Sequence, residues 1–203
     1  TEKLHGTSGR TGRVPVKQAL HWAYRLWNRL FWWLYLVKPE FLYTVVTGTR
    51  RTVLNPRETA ATTTHPHLYR FYIHEMFRTL GLDQGETFYY EIVGYARPNS
   101  PIMQNHAVAD KSHAKKYGST MEYSYGCARG VGDCKVYVYR ITMQSPSGAI
   151  VEYSPSQVAK RCSELGLKVV PTLRTMIHDG DPETLMKACA ALADGPSTLD
   201  PGH

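Results

Sequence analysis

A long apolar run occupies residues 16–37 of the chain. The stretch VKQALHWAYRLWNRLFWWLYLV has no internal glycine or proline, contains all four tryptophans and is followed by Lys38-Pro39, which predicts a helix. Charged side chains interrupt the run and are costly at membrane depth, so a transmembrane span is not expected. We expect an amphipathic helix that packs on the domain or contacts a partner, with contact to a membrane surface as the alternative. Its predicted apolar face comprises Leu20, Ala23, Trp27, Leu30 and Leu34.

Strands are predicted in the middle of the chain, where aromatic and β-branched residues are frequent. FLYTVVTGTRRTVLN, residues 41–55, surrounds Gly48 and is typical of a hairpin or two short strands. ETFYYEIVGYA (86–96) and CKVYVYRITM (134–143) predict strands, the first interrupted by the carboxylate of Glu91. A further strand is expected near LKVVPTL (167–173).

Helices are predicted on both sides of these strands. Residues 68–80 have apolar side chains at helical spacing, with Gly81 as a stop. SPSQ (154–157) predicts a capped helix to about Leu165, and Asp181-Pro182 begins a last helix that ends before Gly195. Residues 9–13 are interpreted as a basic connection, and residues 98–134 as a functional loop or a missed element. Without recurring β-α-β alternation, we predict an α+β fold of mainly antiparallel sheets flanked by helices.

Composition and charge narrow the class of partner. The 203 residues carry 24 Lys and Arg against 17 Asp and Glu, a formal charge of +7, which favours polyanions such as nucleic acid or nucleotide phosphates. Four cysteines without a C-x-x-C spacing indicate neither a zinc ribbon nor a redox dithiol, and a reducing cytoplasm is expected. Because the chain begins at Thr1 without a signal segment, we interpret it as a fragment or an excised domain.

Four short motifs follow one another along the chain: EKLHGTS (2–8), GTRRT (48–52), YYEIVG (89–94) and VYVYRI (136–141). A single K-x-x-G match is expected by chance, but four motifs in order are not. Together they resemble motif I, the following arginine element, motif III and motif IIIa of the covalent nucleotidyltransferases. The K-x-H-G form is similar to the ATP-dependent RNA ligases, particularly the nick-sealing branch found in phages. The resemblance covers most of residues 1–10 and 41–175, and the helix at 16–38 looks like an insertion.

The resemblance implies a partial ATP-grasp-like nucleotidyltransferase domain over residues 1–203, using ATP with Mg²⁺ or Mn²⁺. Lys3 would attack the α-phosphorus of ATP to give lysyl-AMP, and AMP would then pass to an RNA 5′-phosphate for joining to a 3′-hydroxyl. A free lysine has a pKa of about 10.4, so neighbouring cations such as Arg10, Arg50 or Arg51 would help to activate the amine. Gly6 would permit close approach of the nucleotide.

The resemblance also assigns roles to residues in the other motifs. Glu2 would recognise adenine, with a surface acid as the alternative. Arg51, or its neighbour Arg50, would contact the ribose and phosphates. Glu91 would bind the ribose, with a structural salt bridge as the alternative.

The aromatic position of motif IIIa is Tyr139, which would stack on the adenine, with an ordinary core tyrosine as the alternative. Arg140 departs from the family, because many relatives have an acid after this aromatic residue. The family's motif IV acid and motif V lysines are not found, so these 203 residues alone are expected to adenylylate poorly. The metal ligands therefore stay unknown.

The partner of the predicted enzyme is RNA with nicked or broken ends. A basic cluster in the irregular segment is interpreted either as a solvated loop or as an RNA contact; it comprises Lys111, Lys115, Lys116 and Arg129. Two alternatives to an RNA ligase remain open. One is a DNA ligase or an mRNA-capping guanylyltransferase of the same superfamily, and the other is a non-catalytic basic RNA-binding domain.

Overall fold

A computed structural model describes residues 1–17, 22–31, 41–54, 61, 67–177, 180–193 and 197–199. In chain order its elements are β1 (Thr7–Lys17), α1 (Trp22–Phe31), β2 (Phe41–Gly48), α2 (Leu68–Thr79), β3 (Glu86–Arg97), β4 (Ser100–Pro101), β5 (His106–Ala107), α3 (Lys111–Tyr117), β6 (Thr120–Met121), β7 (Cys134–Gln144), β8 (Ile150–Glu152), α4 (Pro155–Glu164), β9 (Lys168–Val169) and α5 (Pro182–Ala193).

One sheet organises these elements, with the strand order β2-β1-β3-β7-β8. Neighbours along this order are antiparallel, β4 adds to β3, and the short β9 pairs with β7 in parallel. β5 and β6 form a separate two-stranded ribbon. The prediction of an α+β fold with mainly antiparallel sheet is confirmed.

The main core lies between one face of the sheet and the helices α2 and α4; we call this the helix-covered face. Alternate residues of β3 point into it, and Phe88, Tyr90 and Ile92 are all almost fully buried. The ring of Phe77 from α2 stacks on Tyr90 with centroids 5.1 Å apart. Burial of each such side chain contributes about 2–3 kcal/mol, which makes this face the main source of stability.

A buried ion pair also ties α4 to the sheet. Glu86, at the start of β3, is 0% exposed, and it accepts hydrogen bonds from Arg161 Nε at 2.8 Å and Nη2 at 3.0 Å. The Asp83 backbone N–H donates to the same carboxylate at 2.9 Å. These contacts raise the pKa of Arg161 above its usual range, chiefly through the hydrogen bonds to Glu86.

The first strand is longer than the sequence predicts. Residues 9–13, interpreted as a connection, belong to β1. Val16 and Lys17, predicted to begin the long helix, also belong to β1. Val16 pairs with Leu42, and Lys17 pairs with Phe41. These two predictions are wrong. Local helical preference of an apolar run gives way where a neighbouring strand supplies backbone hydrogen-bond partners.

The described part of the predicted long helix is α1, in which no residue is buried. Trp22 is 69% exposed and Leu30 is 56% exposed. Residues 18–21 and 32–40, and with them Leu20 and Leu34 of the predicted apolar face, lie outside the described residues. Within the described ranges, no helix combines the length and the apolar character needed to cross a bilayer.

The other predicted elements are largely confirmed. The predicted hairpin contains β2 and an isolated bridge from Gly48 to Val53. α2, β3, β7 and α5 occur where the patterns indicate, and α4 begins with the predicted capping box at Ser154. Residues 98–134 hold short elements that the sequence did not reveal, including α3.

Candidate active site on the open face of the sheet

The sheet face opposite α2 and α4, which we call the open face, receives the side chains that alternate with the core residues. Glu91 is one of them, because Tyr90 and Ile92 on either side point into the helix-covered face. Its strand neighbour on β1 is Ser8. Burial raises the pKa of Glu91, and the Gly6 N–H and the Arg70 guanidinium only partly oppose this effect. The half-buried carboxylate therefore lies directly beside motif I.

A β-bulge occurs at Tyr139, on the strand next to Glu91. Tyr89 pairs with Arg140 and Tyr90 pairs with Val138, so Tyr139 is the extra residue of β7. Bulges often occur beside functional sites, where they redirect a side chain. Tyr139 remains 49% exposed, and its pKa is raised, first by burial and then by the negative charge of Glu91. Glu91 pairs with Tyr137, two residues before Tyr139, so Glu91 and Tyr139 lie near each other on neighbouring strands.

Arg140, the departure from the family pattern, has partners of its own. Its Nη2 lies 2.7 Å from a Glu152 carboxylate oxygen on β8, and its guanidinium lies 5.0 Å from the ring centroid of Tyr89. Its Nε is buried without a hydrogen-bond partner among the described residues. Arg140 therefore ties β8 to the open face beside Tyr139.

Motif I enters the sheet from the segment that precedes β1. Lys3 is exposed in that segment, and its ammonium group has no ion pair within the described ranges. Packing explains why position 6 is a glycine, because a Cβ atom there would lie 2.2 Å from the carbonyl oxygen of Ile92. Gly6 thus permits close approach of β3, whereas the sequence predicted close approach of a nucleotide.

The predicted arginines lie at the same end of the sheet. Arg10 is exposed on β1, opposite Gly48 and Tyr89. Arg50 and Arg51 are exposed in the turn that follows β2, which is closed by hydrogen bonds between Thr49 and Thr52. Because β2 is antiparallel to β1, this turn lies beside the start of β1 and hence near motif I.

The carboxylate of Glu2 already has hydrogen-bond partners. It accepts from Ser197 Oγ at 2.6 Å and from the Thr198 N–H at 3.2 Å, and also from the Thr198 hydroxyl. Burial acts to raise the pKa of Glu2, but these hydrogen bonds outweigh it, so the pKa is lowered. If this carboxylate contacted adenine, that contact would compete with its hydrogen bonds to Ser197 and Thr198.

Sequence reasoning missed a group of rings that contact His5, two residues after Lys3. The His5 N–H donates to the hydroxyl of Tyr125 at 2.7 Å, and the His5 ring stacks on Tyr123 with centroids 4.7 Å apart. His106 contacts Tyr123 edge to face at 5.8 Å. Burial lowers the pKa of His5, followed by the positive charges of Lys3 and His106.

Arg70 is a second residue that the sequence did not single out. It lies on α2, is 8% exposed, and donates to Thr7 Oγ1 at 2.6 Å and to the Ser8 carbonyl at 3.3 Å. Arginine on the polar side of a helix usually faces solvent, so its position in sequence carries no signal of this role. It fixes the start of β1 from the helix-covered face.

The basic cluster of residues 111–129 is divided by the fold. Lys111, Lys115 and Lys116 are exposed on α3. Arg129 lies outside this helix and contacts Asn99 at 3.1 Å and Glu122 at 3.6 Å. The predicted single cluster is therefore a lysine-bearing helix plus an arginine with partners of its own.

Metal-ligating side chains do not gather into a group of three anywhere in the described ranges. The four cysteines are free thiols, with Cys127 and Cys162 buried. Comparison with protein-family models gives no match. A search of curated proteins likewise returns no match.

Proposed function

We propose that this chain is the adenylylation domain of an ATP-dependent RNA ligase and that Lys3 is its nucleophile. The observation that carries the proposal is the adjacency of Glu91 and Tyr139 on the open face, directly beside motif I. Lys3 is three residues from Gly6, so its Cα lies within about 11 Å of that of Gly6. The lysine side chain can span much of the remaining distance to a nucleotide held at Glu91.

The arrangement suits ATP. A half-exposed tyrosine ring can stack on a purine base, and a carboxylate on the neighbouring strand can accept from ribose hydroxyls. The arginines at 10, 50 and 51 lie at the motif I end of the sheet, where they can neutralise triphosphate charge. Mg²⁺ would reach this site on the ATP phosphates, which commonly supply several of its ligands.

The proposed step is a substitution at the α-phosphorus. The neutral amine Nζ of Lys3 forms a bond to phosphorus, the bond from phosphorus to the bridging oxygen breaks, and pyrophosphate leaves. The amine loses a proton to solvent, which leaves AMP joined to Lys3. Cationic side chains would stabilise the charge that develops on the phosphate oxygens.

RNA is the proposed acceptor of the AMP. The K-x-H-G form of motif I favours RNA ligases within the superfamily, and the formal charge of +7 favours a polyanionic partner. The exposed lysines of α3 offer a surface for phosphate contacts.

The test is incubation of the full-length protein with radiolabelled ATP and Mg²⁺. We expect an acid-labile covalent label that mass spectrometry locates on Lys3 and that Lys3→Ala abolishes. Lys160→Ala is the matched control, because Lys160 is an exposed lysine on α4 at the opposite face. A label that survives Lys3→Ala would contradict the assignment.

The labelling assay, followed by a sealing assay, separates the alternatives. A label from GTP in place of ATP would indicate a capping guanylyltransferase, and sealing of nicked DNA in preference to nicked RNA would indicate a DNA ligase. A non-catalytic RNA-binding domain, which the positive charge also favours, would bind RNA in a salt-sensitive manner and form no label.

A further inference from the structure

Tyr125 belongs to a turn whose backbone is unfavourable for its residue type. The turn runs from Ser124 to Cys127, with the Cys127 N–H donating to the Ser124 carbonyl at 2.9 Å. Its two central residues have positive φ, 48° at Tyr125 and 65° at Gly126. This is the type I′ pattern, whose first central position normally holds asparagine, aspartate or glycine. A tyrosine there is strained, and such strain commonly marks a functional site.

The strained turn directs the Tyr125 side chain into the motif I segment. The ring is 9% exposed within the cluster of Val93, Tyr95, Cys127, Tyr137 and Val170. Leu4 and Tyr123 pack against the same cluster. The hydroxyl accepts the His5 N–H at 2.7 Å, across 120 residues of sequence.

The turn at Tyr125 and the cluster around it therefore contact both residues that follow Lys3. Leu4 packs against the cluster, and His5 is held twice, through its backbone by Tyr125 and through its ring by Tyr123. Lys135 Nζ donates to the Gly126 carbonyl at 2.7 Å and so fixes the turn from β7. The main chain next to Lys3 is thereby attached to the sheet that carries Tyr139.

We infer that Tyr125 is a positioning residue, which holds the main chain of motif I so that the Lys3 amine points to the α-phosphorus. This inference rests on the proposed function. Attack requires the amine to be aligned with the breaking bond, and small displacements of a reacting group reduce rates strongly. The nucleotide itself contacts other residues in the proposal, namely Glu91 and Tyr139.

The test is Tyr125→Phe, which removes the hydroxyl and keeps both the ring and the turn. Tyr137→Phe is the matched control, because Tyr137 is buried in the same cluster and its hydroxyl has no hydrogen bond to any described residue. We expect Tyr125→Phe to lower the maximal rate of lysyl-AMP formation roughly tenfold, with the KM for ATP unchanged. Tyr137→Phe is expected to retain the wild-type rate.

Hydrogen exchange of the His5 amide provides a readout that does not depend on activity. The His5 N–H should exchange faster in Tyr125→Phe than in Tyr137→Phe. Faster exchange with an unchanged rate of labelling would overturn the positioning role and leave the proposed function intact. An equal loss of rate in both variants would overturn it as well, since the loss would then reflect general packing. If the wild-type protein forms no label, the proposed function fails and this inference fails with it.

Discussion

Glu86 and Glu91 lie on the same strand but in opposite surroundings. Glu86 points to the helix-covered face, is fully buried, and has two hydrogen bonds from Arg161 and one from the Asp83 N–H. Glu91 points to the open face, is half-buried, and has no side-chain ion pair among the described residues. Burial raises its pKa above the ordinary glutamate value of 4.5.

The comparison separates a structural carboxylate from one available to a ligand. At Glu86 the hydrogen bonds from Arg161 and from the Asp83 N–H compensate the buried carboxylate, and those from Arg161 hold α4 on the sheet. At Glu91 the fold keeps a charge partly desolvated with little compensation, which costs stability and is common where a ligand binds. The salt-bridge alternative that the sequence left open for Glu91 describes Glu86 instead.

The largest expected effect is on stability, at the structural carboxylate. Glu86→Ala would leave the Arg161 guanidinium poorly compensated and should lower the free energy of unfolding by about 3 kcal/mol. Chemical denaturation measures this change. Glu164→Ala removes an exposed partner of the same arginine and is the matched control, with an expected change within about 0.5 kcal/mol. If Glu86→Ala lowered the free energy of unfolding by less than about 1 kcal/mol, Glu86 would not be the structural carboxylate that distinguishes it from Glu91.

The next effect is on nucleotide binding, at the open-face carboxylate. Glu91→Gln removes the charge and keeps an acceptor for the Gly6 N–H, so the fold should persist while ATP binding weakens roughly tenfold, or about 1.5 kcal/mol. Titration with a non-hydrolysable ATP analogue measures it, with Glu164→Gln as the control. Unchanged affinity in Glu91→Gln would remove this residue from the proposed site.

The smallest effect is the dependence of stability on pH. Because the folded-state pKa of Glu91 is raised, the stability that this group contributes is complete below its ordinary pKa of 4.5 and is lost as the pH rises through the raised value. Glutamine cannot ionise, so Glu91→Gln should be more stable than wild type at neutral pH. We expect less than about 1 kcal/mol, because solvent screens part of the penalty.

Thermal unfolding across the pH range checks this expectation. The difference between Glu91→Gln and wild type should vanish below pH 4.5, where both side chains are neutral. A difference of the same size at every pH would indicate that packing, and not charge, separates the two proteins.

Much of the fold could be predicted because it depends on local patterns. The capping box at Ser154 and the apolar spacing of α2 specify those helices with residues close in sequence. The extension of β1 to Lys17 could not be predicted, because β2 supplies the pairing and lies beyond an intervening segment. The same reason applies to the bulge at Tyr139, which only the register between β3 and β7 reveals.

The sequence by itself determined the residue types and the order of the four motifs, and strand alternation determined that Glu91 faces away from Tyr90. Tertiary structure alone decided which groups each side chain contacts. It gave Glu2 the hydroxyl groups of Ser197 and Thr198, and it brought Tyr125 to the His5 N–H. The physical reason is that alternation and capping act over a few residues, whereas these hydrogen bonds join positions separated by more than a hundred and exist only once the sheet has formed.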